Sequence, residues 1–350
     1  MSRADPPVAL STNSSALSTN SSALSTNSRR LGGHRVGNAV RLERIVVVKK
    51  SSAIEQLQQH PDQKMQQALQ DGQPVGHRVA VAHREHVASL LQVQKTLDEL
   101  GVRWRLVSQL NRRLAAWADL IITVGGDGTF LSASHSIEAT GISDGPPMLG
   151  VNSAVSSSIG YFCASDASGL AAVLDALAAG RLTSRPLWRM EVAINGVSLR
   201  DLALNDVLLA HKVPAETTRY AVEIGGVSQD HKSSGIWVAT AAGSTAAIRS
   251  AGGAVLPIES PLLQYRVREL MTWAVRGEPL VGGTFDGTLA ITSRMLTGAL
   301  YIDGSHLKVR FGYGDRISFA PAPRPLGWIA PPSFDQRRAT IVQGSAAVPA

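Results

Sequence analysis

A buried strand that runs into a glycine-rich turn, Leu120-Ile-Ile-Thr-Val-Gly-Gly-Asp-Gly-Thr-Phe-Leu131, decides the fold class of this chain. The apolar, β-branched half is typical of a strand buried on both faces of a parallel sheet, and a helix-like stretch follows the turn. Glycines at the carboxyl end of such a strand let the backbone come close to a phosphate group, and the next helix N-terminus favours negative charge. We therefore expect Gly126, Gly128 and Thr129 to lie against phosphate.

Asp127 is the only acidic residue in this turn. A carboxylate repels phosphate, so we expect it to accept a proton from an attacking hydroxyl or to hold Mg²⁺. The turn is neither a Walker loop nor a G-x-G-x-x-G fingerprint. The sequence Asp286-Gly287-Thr288 repeats part of it between two predicted strands, where we predict a hairpin turn. The strand-to-helix setting therefore makes Asp127 the candidate catalytic residue.

Composition excludes several classes of protein. Hydrophobic residues make up 44% of the 350 residues, and no run of about 18 apolar residues predicts a membrane span. The net charge of +7 lies almost entirely in residues 1–50, which carry +6, so we expect no nucleic-acid partner. Cys163 is the single cysteine. It predicts a small buried side chain in a reducing compartment, with no disulfide and no cysteine-based zinc site.

The composition and the hydrophobic pattern divide the chain into two predicted domains and two tails. Residues 1–40 contain the repeat Ser-Thr-Asn-Ser-Ser-Ala-Leu and are predicted to be a disordered low-complexity tail, with faint similarity to an organelle-targeting peptide. Residues 41–165 alternate strands and helices, which predicts a doubly wound α/β domain. Residues 166–320 hold short alternating segments, which predict an antiparallel β-rich sandwich. Residues 321–350 are rich in proline and alanine and are predicted to be a loose tail.

The α/β prediction rests on particular segments of residues 41–165. Strands are predicted at 44–49, 78–82, 101–107, 119–124 and 148–151, and helices at 53–69, 84–99 and 111–117. His83 and His86 lie three residues apart and are interpreted as a surface pair, because no third metal ligand is near in sequence. His135 is interpreted as part of the scaffold.

Two further motifs place polar or small residues where a ligand could lie. Asn205 and Asp206 interrupt an apolar, strand-like run, which indicates either a turn or bulge or polar groups that face a ligand. A predicted strand ends at Thr240, and a loop of small residues follows. Ser244 suits the N-cap of a helix that would begin there, and such a loop could admit a flat aromatic ring.

In this order, the motifs resemble those of the NAD kinase family over about residues 42–320. The anchors are Gly-Gly-Asp-Gly-Thr at 125–129, Gly-Val-Asn at 150–152, Gly-Tyr-Phe at 160–162, Asn-Asp at 205–206, Gly-Ser-Thr-Ala at 243–246, Ser-Ala-Gly-Gly at 250–253 and Asp-Gly at 303–304. The resemblance implies phosphorylation of the adenosine 2′-hydroxyl of NAD(H), with Mg²⁺ and ATP or polyphosphate. It also implies a cytoplasmic dimer or tetramer.

The resemblance also assigns roles to residues. It implies a general base at Asp127, contacts to nicotinamide and ribose from Asn205 and Asp206, and no metal ligand of the protein's own. The resemblance also implies an adenine pocket, which would be formed by Thr245, Ala246 and Ser250, with Tyr161 or Phe162 nearby.

The sequence departs from the common bacterial pattern at several positions, and its Lys-Ser-Ser-Gly form at 232–235 and its Ser-rich segment at 156–160 are similar to the mitochondrial-type and plant NADH-preferring branches, which leaves the preference for NAD or NADH open. Asp206 stands where glutamate is usual, Ala247 replaces a frequent tyrosine, and Lys-Ser-Ser-Gly at 232–235 lacks an acid before its glycine.

Other functions remain open from the sequence. Lipid kinases that share the glycine-rich turn carry a Gly-Thr-x-Asn-Asp run, and sugar kinases carry Pro-Lys-Thr-Ile-Asp-Asn-Asp. Neither occurs in this sequence. A non-catalytic NAD-binding sensor would gain nothing from a carboxylate beside phosphates, which weighs against that alternative.

Overall fold

The structure is a computed structural model that describes residues 42–137, 145–305, 307–331 and 333–344. The predicted tail of residues 1–40 lies outside the described residues. The first part of the chain alternates strands and helices. Its elements are β1 (Arg44–Lys49), α1 (Ala53–Gln59), α2 (Gln63–Gln70), α3 (Pro74–Glu99), β2 (Arg103–Val107), α4 (Arg112–Trp117), β3 (Leu120–Gly125), α5 (Asp127–Ser134), β4 (Met148–Asn152), β5 (Cys163–Asp166), α6 (Leu170–Ala178) and β6 (Arg185–Leu187).

The rest of the described chain is mostly strand. Its elements are β7 (Met190–Ile194), β8 (Val197–Ser198), β9 (Asp206–His211), β10 (Thr218–Ile224), β11 (Val227–Ser233), β12 (Gly235–Ala239), a 3-10 turn (Ala242–Thr245), α7 (Ala247–Ser250), β13 (Leu263–Arg268), a second 3-10 turn (Thr272–Ala274), β14 (Gly282–Phe285), β15 (Leu289–Ser293), β16 (Gly298–Ile302), β17 (Leu307–Phe311), β18 (Arg316–Pro321), β19 (Leu326–Trp328) and α8 (Phe334–Gly344).

A parallel sheet forms the centre of the first part. Strands β2, β1, β3 and β4 lie side by side in parallel, and β5 pairs in parallel with β4. Along β1, Ile45 and Val47 pack with α3 and α6, whereas Val46 and Val48 pack with α4 and α5. Helices therefore cover both faces of the sheet, as predicted for a doubly wound α/β arrangement. Cys163 is buried on β5, as expected.

Two local predictions in this part were wrong. Residues 78–82, predicted as a strand, belong to the 26-residue helix α3. The side chains of α3 that face the core recur at helical spacing, at His86, Leu90, Val93 and Leu97. The stability gained by burying this face of the helix outweighs the strand preference of five alternating residues. The predicted helix over 53–69 is two helices, because Pro61 lies between α1 and α2 and cannot donate a backbone hydrogen bond.

Two antiparallel six-stranded sheets form the second part, as predicted for a sandwich. One has the order β11-β10-β15-β18-β7-β8 and the other β14-β13-β12-β9-β16-β17. Their inward side chains, such as Val222 and Ile291 from one sheet and Leu209 and Val238 from the other, form a single core. The predicted hairpin at Asp286-Gly287-Thr288 is wrong, because β14 pairs with β13 while β15 pairs with β10 and β18. The turn connects the two sheets.

The structure differs from the expected loose tail at residues 321–350. Strand β19 pairs in parallel with β4 and antiparallel with β6, so the chain returns to the first sheet. Trp328 and Phe334 are almost completely buried there. Burial of two large aromatic side chains outweighs the disorder that the flanking prolines suggest.

The first part of the fold also extends beyond the expected boundary at residue 165, because α6 packs on the first sheet and β6 pairs within it. Within the described residues, no helix combines the length and the apolarity that crossing a membrane requires.

Candidate functional site

The glycine-rich turn lies where β3 ends and α5 begins, in the predicted strand-to-helix setting. A Cβ atom on Gly125 would lie 2.2 Å from Thr129 Oγ1, and one on Gly126 would lie 2.6 Å from Ser158 Oγ. Close packing therefore requires glycine at position 125, whereas at position 126 the Ser158 hydroxyl could rotate away. A Cβ on Gly128 would meet nothing within 4 Å, so this residue borders open space.

Asp127 occupies the first turn of α5, with Gly126 at the N-cap. Its Oδ1 atom accepts a hydrogen bond of 2.9 Å from the Phe162 backbone N–H. Within the described part of the chain, no hydrogen-bond partner occupies Oδ2. The carboxylate is therefore oriented through one oxygen while the other can accept a proton.

The Phe162 side chain, predicted to line the ligand site, is buried in the core. Its ring stacks on Phe130 at 5.1 Å between centroids and is 1% exposed. The backbone of Phe162 reaches the site, and its side chain does not. Tyr161 lies nearer the surface, where its ring contacts Phe162 edge to face at 5.2 Å between centroids and its hydroxyl oxygen accepts a hydrogen bond from Arg338 at 2.5 Å.

The buried carboxylate of Asp303 holds the turn that contains Asn205 and Asp206. It accepts backbone N–H hydrogen bonds from residues 204, 205 and 206 at 2.8, 2.7 and 3.1 Å. His135 Nε2 lies 2.8 Å from its Oδ2 atom. Because His135 caps the C-terminal end of α5, this carboxylate joins the helix that begins with Asp127 to the Asn205–Asp206 turn.

Burial controls the electrostatics of this turn. The Asp206 side chain is 7% exposed, and burial, with the nearby negative charge of Asp303 as a second cause, raises its pKa to about 7. The Asn205 Oδ1 atom is buried and has no hydrogen-bond partner among the described residues. An unsatisfied buried acceptor costs about 1–3 kcal/mol, so a ligand N–H or O–H donor would stabilise this position.

The small-residue loop packs directly on the same turn. A Cβ on Gly243 would lie 2.0 Å from the Asn205 carbonyl oxygen, and the Thr240 hydroxyl donates to the Leu204 carbonyl at 2.5 Å. The predicted helix start at Ser244 is wrong. This residue lies in the 3-10 turn, where its hydroxyl donates to the Ala241 carbonyl and accepts from the Leu256 N–H.

The structure brings most of the predicted base-pocket residues together. Thr245 and Ala246 lie partly buried at the end of the 3-10 turn, next to Tyr161. Ser250 is exposed at the end of α7, and no hydrogen bond joins it to the other predicted residues in the described chain.

A cavity of 610 Å³, which we call the loop cavity, opens at the carboxyl ends of β1 and β3. Residues of the turn line it together with basic and hydroxyl side chains: Gly126, Gly128, Thr129, Lys49, Lys50, Ser132 and His135. Lys49 forms an ion pair with Glu55 at 2.5 Å. Burial lowers the pKa of Lys50, which has no ion-pair partner among the described residues. Lys50 directly follows the buried strand β1, and this position in the sequence could have predicted that it lies at the same edge of the sheet as the glycine-rich turn.

A second cavity of 370 Å³, which we call the strand cavity, lies on the outer face of β9, β12 and β16. Asp206 and Ser234 line its polar side, and Leu208, Trp237 and Tyr301 line its apolar side. The two cavities therefore lie next to opposite ends of the hydrogen-bond network that Asp303 organises.

Sequence reasoning missed or misplaced several residues of this region. His86, interpreted as a surface residue, is 1% exposed and contacts Ser153 Oγ at 2.9 Å. Arg189 is 1% exposed and donates to the carbonyls of Ser134 and Ile137 at the C-terminal end of α5. No cluster of three or more potential metal ligands occurs among the described residues.

Comparisons with known proteins agree with the fold and the turn. The family model for the ATP-NAD kinase N-terminal domain matches residues 35–182. The chain is 36% identical to a probable NADH kinase of Oryza sativa subsp. japonica, over 58% of this chain and 68% of that protein. It is 34% identical to an NADH kinase of Arabidopsis thaliana, over 67% of this chain and 80% of that protein.

A solved structure supports the same fold. The NAD kinase of Archaeoglobus fulgidus, in complex with ATP, superposes with a TM-score of 0.62 at 19% identity, over 86% of this chain and 98% of that one. Fold and site together define an α/β kinase whose Gly-Gly-Asp-Gly turn precedes a β-sandwich. The chain belongs to the NAD kinase family.

Proposed function

We propose that this protein is an NAD(H) kinase that transfers the γ-phosphoryl group of ATP to the adenosine 2′-hydroxyl of NAD(H) and forms NADP(H). The observation that carries this proposal is the Asp127 carboxylate, which is oriented by the Phe162 amide at 2.9 Å at the first turn of a helix in a chain of the NAD kinase family.

Asp127 is proposed to act as the general base. Its carboxylate takes the proton of the 2′-hydroxyl as the new oxygen–phosphorus bond forms and the bond to the ADP leaving group breaks. Phosphoryl transfer depends mainly on positioning and charge neutralisation, so the surrounding groups carry much of the remaining catalysis.

The loop cavity is proposed to receive the ATP phosphates. Gly128 borders open space there, and Lys50 supplies a positive charge. Mg²⁺ usually binds through one or two carboxylates together with substrate phosphates. A Mg²⁺ ion that enters with ATP would be held by the substrate phosphates, because the free oxygen of Asp127 is assigned to the proton of the 2′-hydroxyl.

The acceptor dinucleotide is proposed to extend from the small-residue loop to the strand cavity. Tyr161, Thr245 and Ala246, with Ser250 at the rim, would contact the adenine base. Asn205 and Asp206 would contact the ribose and nicotinamide, because the buried Asn205 Oδ1 lacks a donor and Asp206 lines the strand cavity. We further propose a cytoplasmic location and a homo-oligomer, either a dimer or a tetramer.

The test is a coupled assay that crosses NAD and NADH with ATP and polyphosphate. We expect NADP or NADPH to form with at least one donor, and both acceptors are compared because the plant relatives are named NADH kinases. Binding of NAD(H) without turnover would favour a sensor. Absence of NAD(H) binding together with phosphorylation of a lipid or sugar would favour another kinase class.

A further inference from the structure

The backbone of Phe162 is held by hydrogen bonds on both sides of its Cα atom. Its N–H donates to Asp127 Oδ1 at 2.9 Å, and its carbonyl oxygen accepts a hydrogen bond of 3.0 Å from the indole Nε1–H of Trp328. Because the nitrogen and the carbonyl carbon are bonded to the same Cα atom, a shift of the carbonyl also moves the amide that orients Asp127. The place of Trp328 therefore bears on the place of the Asp127 carboxylate.

The aromatic rings follow the same line of contacts. The Phe162 ring stacks on Phe130 at 5.1 Å between centroids, and Phe130 lies on α5 three residues after Asp127. The Trp328 ring meets the Phe162 ring edge to face at 6.1 Å. Phe130, Phe162 and Trp328 are each at most 1% exposed. Close packing of buried rings leaves them little room to shift, so α5, Phe162 and Trp328 form one rigid assembly.

Trp328 itself is fixed by the first sheet. Its register partners are Met148 on β4 and Arg185 on β6. A buried indole N–H needs an acceptor, and the Phe162 carbonyl provides it. Trp328 is not among the described residues that line the loop cavity or the strand cavity. Any effect of its N–H on the reaction must therefore pass through Phe162.

We propose that Trp328 is a positioning residue for phosphoryl transfer: its indole N–H fixes the Phe162 backbone, and the Phe162 amide holds the Asp127 carboxylate where it accepts the proton of the 2′-hydroxyl. This inference rests on the proposed function, which makes Asp127 the general base. A strand that lies 166 residues after Phe162 in sequence thereby contributes to catalysis without contact to either substrate.

The test is Trp328→Phe, which keeps an aromatic ring in the core and removes the indole N–H. Misplacement of a reacting group by about 1 Å can lower a rate by about a hundredfold, so we expect kcat to fall by about 10–100-fold. The KM values for NAD(H) and ATP should change little. A loss confined to kcat is typical of an interaction that matters in the transition state and not in substrate binding.

Trp104→Phe is the matched control. The Trp104 indole N–H also donates a hydrogen bond, to Asp98 Oδ1 at 2.8 Å, but Trp104 lies on β2 at the edge of the first sheet. The control removes the same kind of group without touching Phe162 and should leave kcat unchanged. An equal loss of kcat in both variants would overturn the proposal.

The Asp127→Asn background separates positioning of the base from general packing. If Trp328 acts through the Asp127 carboxylate, Trp328→Phe should change kcat little once position 127 can no longer accept the proton. An equal fold loss of kcat in both backgrounds would show that Trp328 only packs in the core. A Trp328→Phe variant with the kcat of the wild type would also overturn the proposal.

A second variant covers the case in which Trp328→Phe does not fold. Trp328→benzothienylalanine keeps the shape of the side chain and replaces the N–H by sulfur, which removes the donor alone. The same loss of kcat and the same non-additivity with Asp127→Asn are then required.

The wild-type assay separates this inference from the proposed function. A wild-type protein that forms no NADP(H) contradicts the proposed function, and the inference with it. A wild-type protein that forms NADP(H), together with an unchanged kcat in the Trp328 variant, contradicts the inference alone.

Discussion

Asp127 presents one carboxylate oxygen to the Phe162 amide and leaves the other without a partner among the described residues. Asp127→Asn keeps an oxygen for this amide but removes the negative charge and the basicity. We expect kcat to fall by about 10²–10⁴-fold, the range for loss of a general base, while binding of NAD(H) is retained. Steady-state kinetics and calorimetry measure the two quantities.

Asp286→Asn is the matched control, because Asp286 carries the same Asp-Gly-Thr tripeptide at a turn between the two sheets. This control should leave kcat unchanged. An Asp127→Asn variant that keeps more than about a tenth of the wild-type kcat lies outside the general-base range and would contradict the catalytic role.

Asp206 is the residue from which we predict a pH dependence of stability. Its folded-state pKa of about 7 lies above the value of about 3.9 in an unfolded chain. The folded state therefore binds the proton more tightly, and this contribution to stability is lost as pH rises from about 4 to 7. We expect Asp206→Asn to be more stable than the wild type at pH 8 by about 2–4 kcal/mol, with the difference vanishing near pH 4.

Urea titrations at a series of pH values measure this difference in the free energy of unfolding. Asp230→Asn is the control, because Asp230 is exposed. A stability difference for Asp206→Asn that is equal at pH 4 and pH 8 would show that the folded protein does not perturb this carboxyl group.

Among the structural elements, the contact between the 3-10 turn and the turn before β9 is the closest approach in the site. Only a glycine fits at Gly243, because a Cβ atom would overlap the Asn205 carbonyl, and backbone atoms cannot rotate away. We expect Gly243→Ala to destabilise the fold by about 1–3 kcal/mol and to raise the KM for NAD(H), since the Asn205 turn must move. Denaturant titration and kinetics measure both effects.

Gly287→Ala serves as the control for this element, because a Cβ atom there would meet nothing within 4 Å. It should change neither stability nor KM. A Gly243→Ala variant that matched this control would mean that the two turns separate without cost.

In the molecule as a whole, the two ends of the chain are expected to behave differently. Residues 1–40 have no apolar periodicity, so we predict that their deletion leaves folding and activity intact. Deletion of residues 333–350 removes the buried Phe334 and the Arg338 contacts. Truncation of a buried aromatic side chain costs about 3–5 kcal/mol, so this deletion should lower both Tm and turnover.

Thermal unfolding and the coupled assay compare the two deletions directly. Loss of activity after deletion of residues 1–40 would mean that this segment docks on the folded part. An unchanged Tm after deletion of residues 333–350 would mean that the burial of Phe334 contributes little to the stability of the fold.

The sequence by itself determined the local chemistry of this protein. The apolar strand before the glycine-rich turn, the turn itself and the short alternating segments after residue 180 predicted the doubly wound sheet, its strand-to-helix turn and the sandwich. These features depend on residue type and near neighbours, which a sequence contains directly. Asp127 was predicted because a carboxylate is unexpected in a turn that suits phosphate, and Asn205 and Asp206 were predicted because polar residues are unexpected in an apolar run.

Only the tertiary structure decided which distant residues meet. Asp303 lies almost 100 residues from the amides it binds, and Arg338 lies even further from Tyr161. In the structure, the expected tail contains β19, which pairs within the first sheet, and α8, which packs beside it. The Phe162 side chain, expected at the ligand site, lies in the core. Each of these outcomes depends on the free energy of burying side chains from several segments that are distant in sequence. A local pattern such as a proline-rich run contains only the conformational preferences of its own residues.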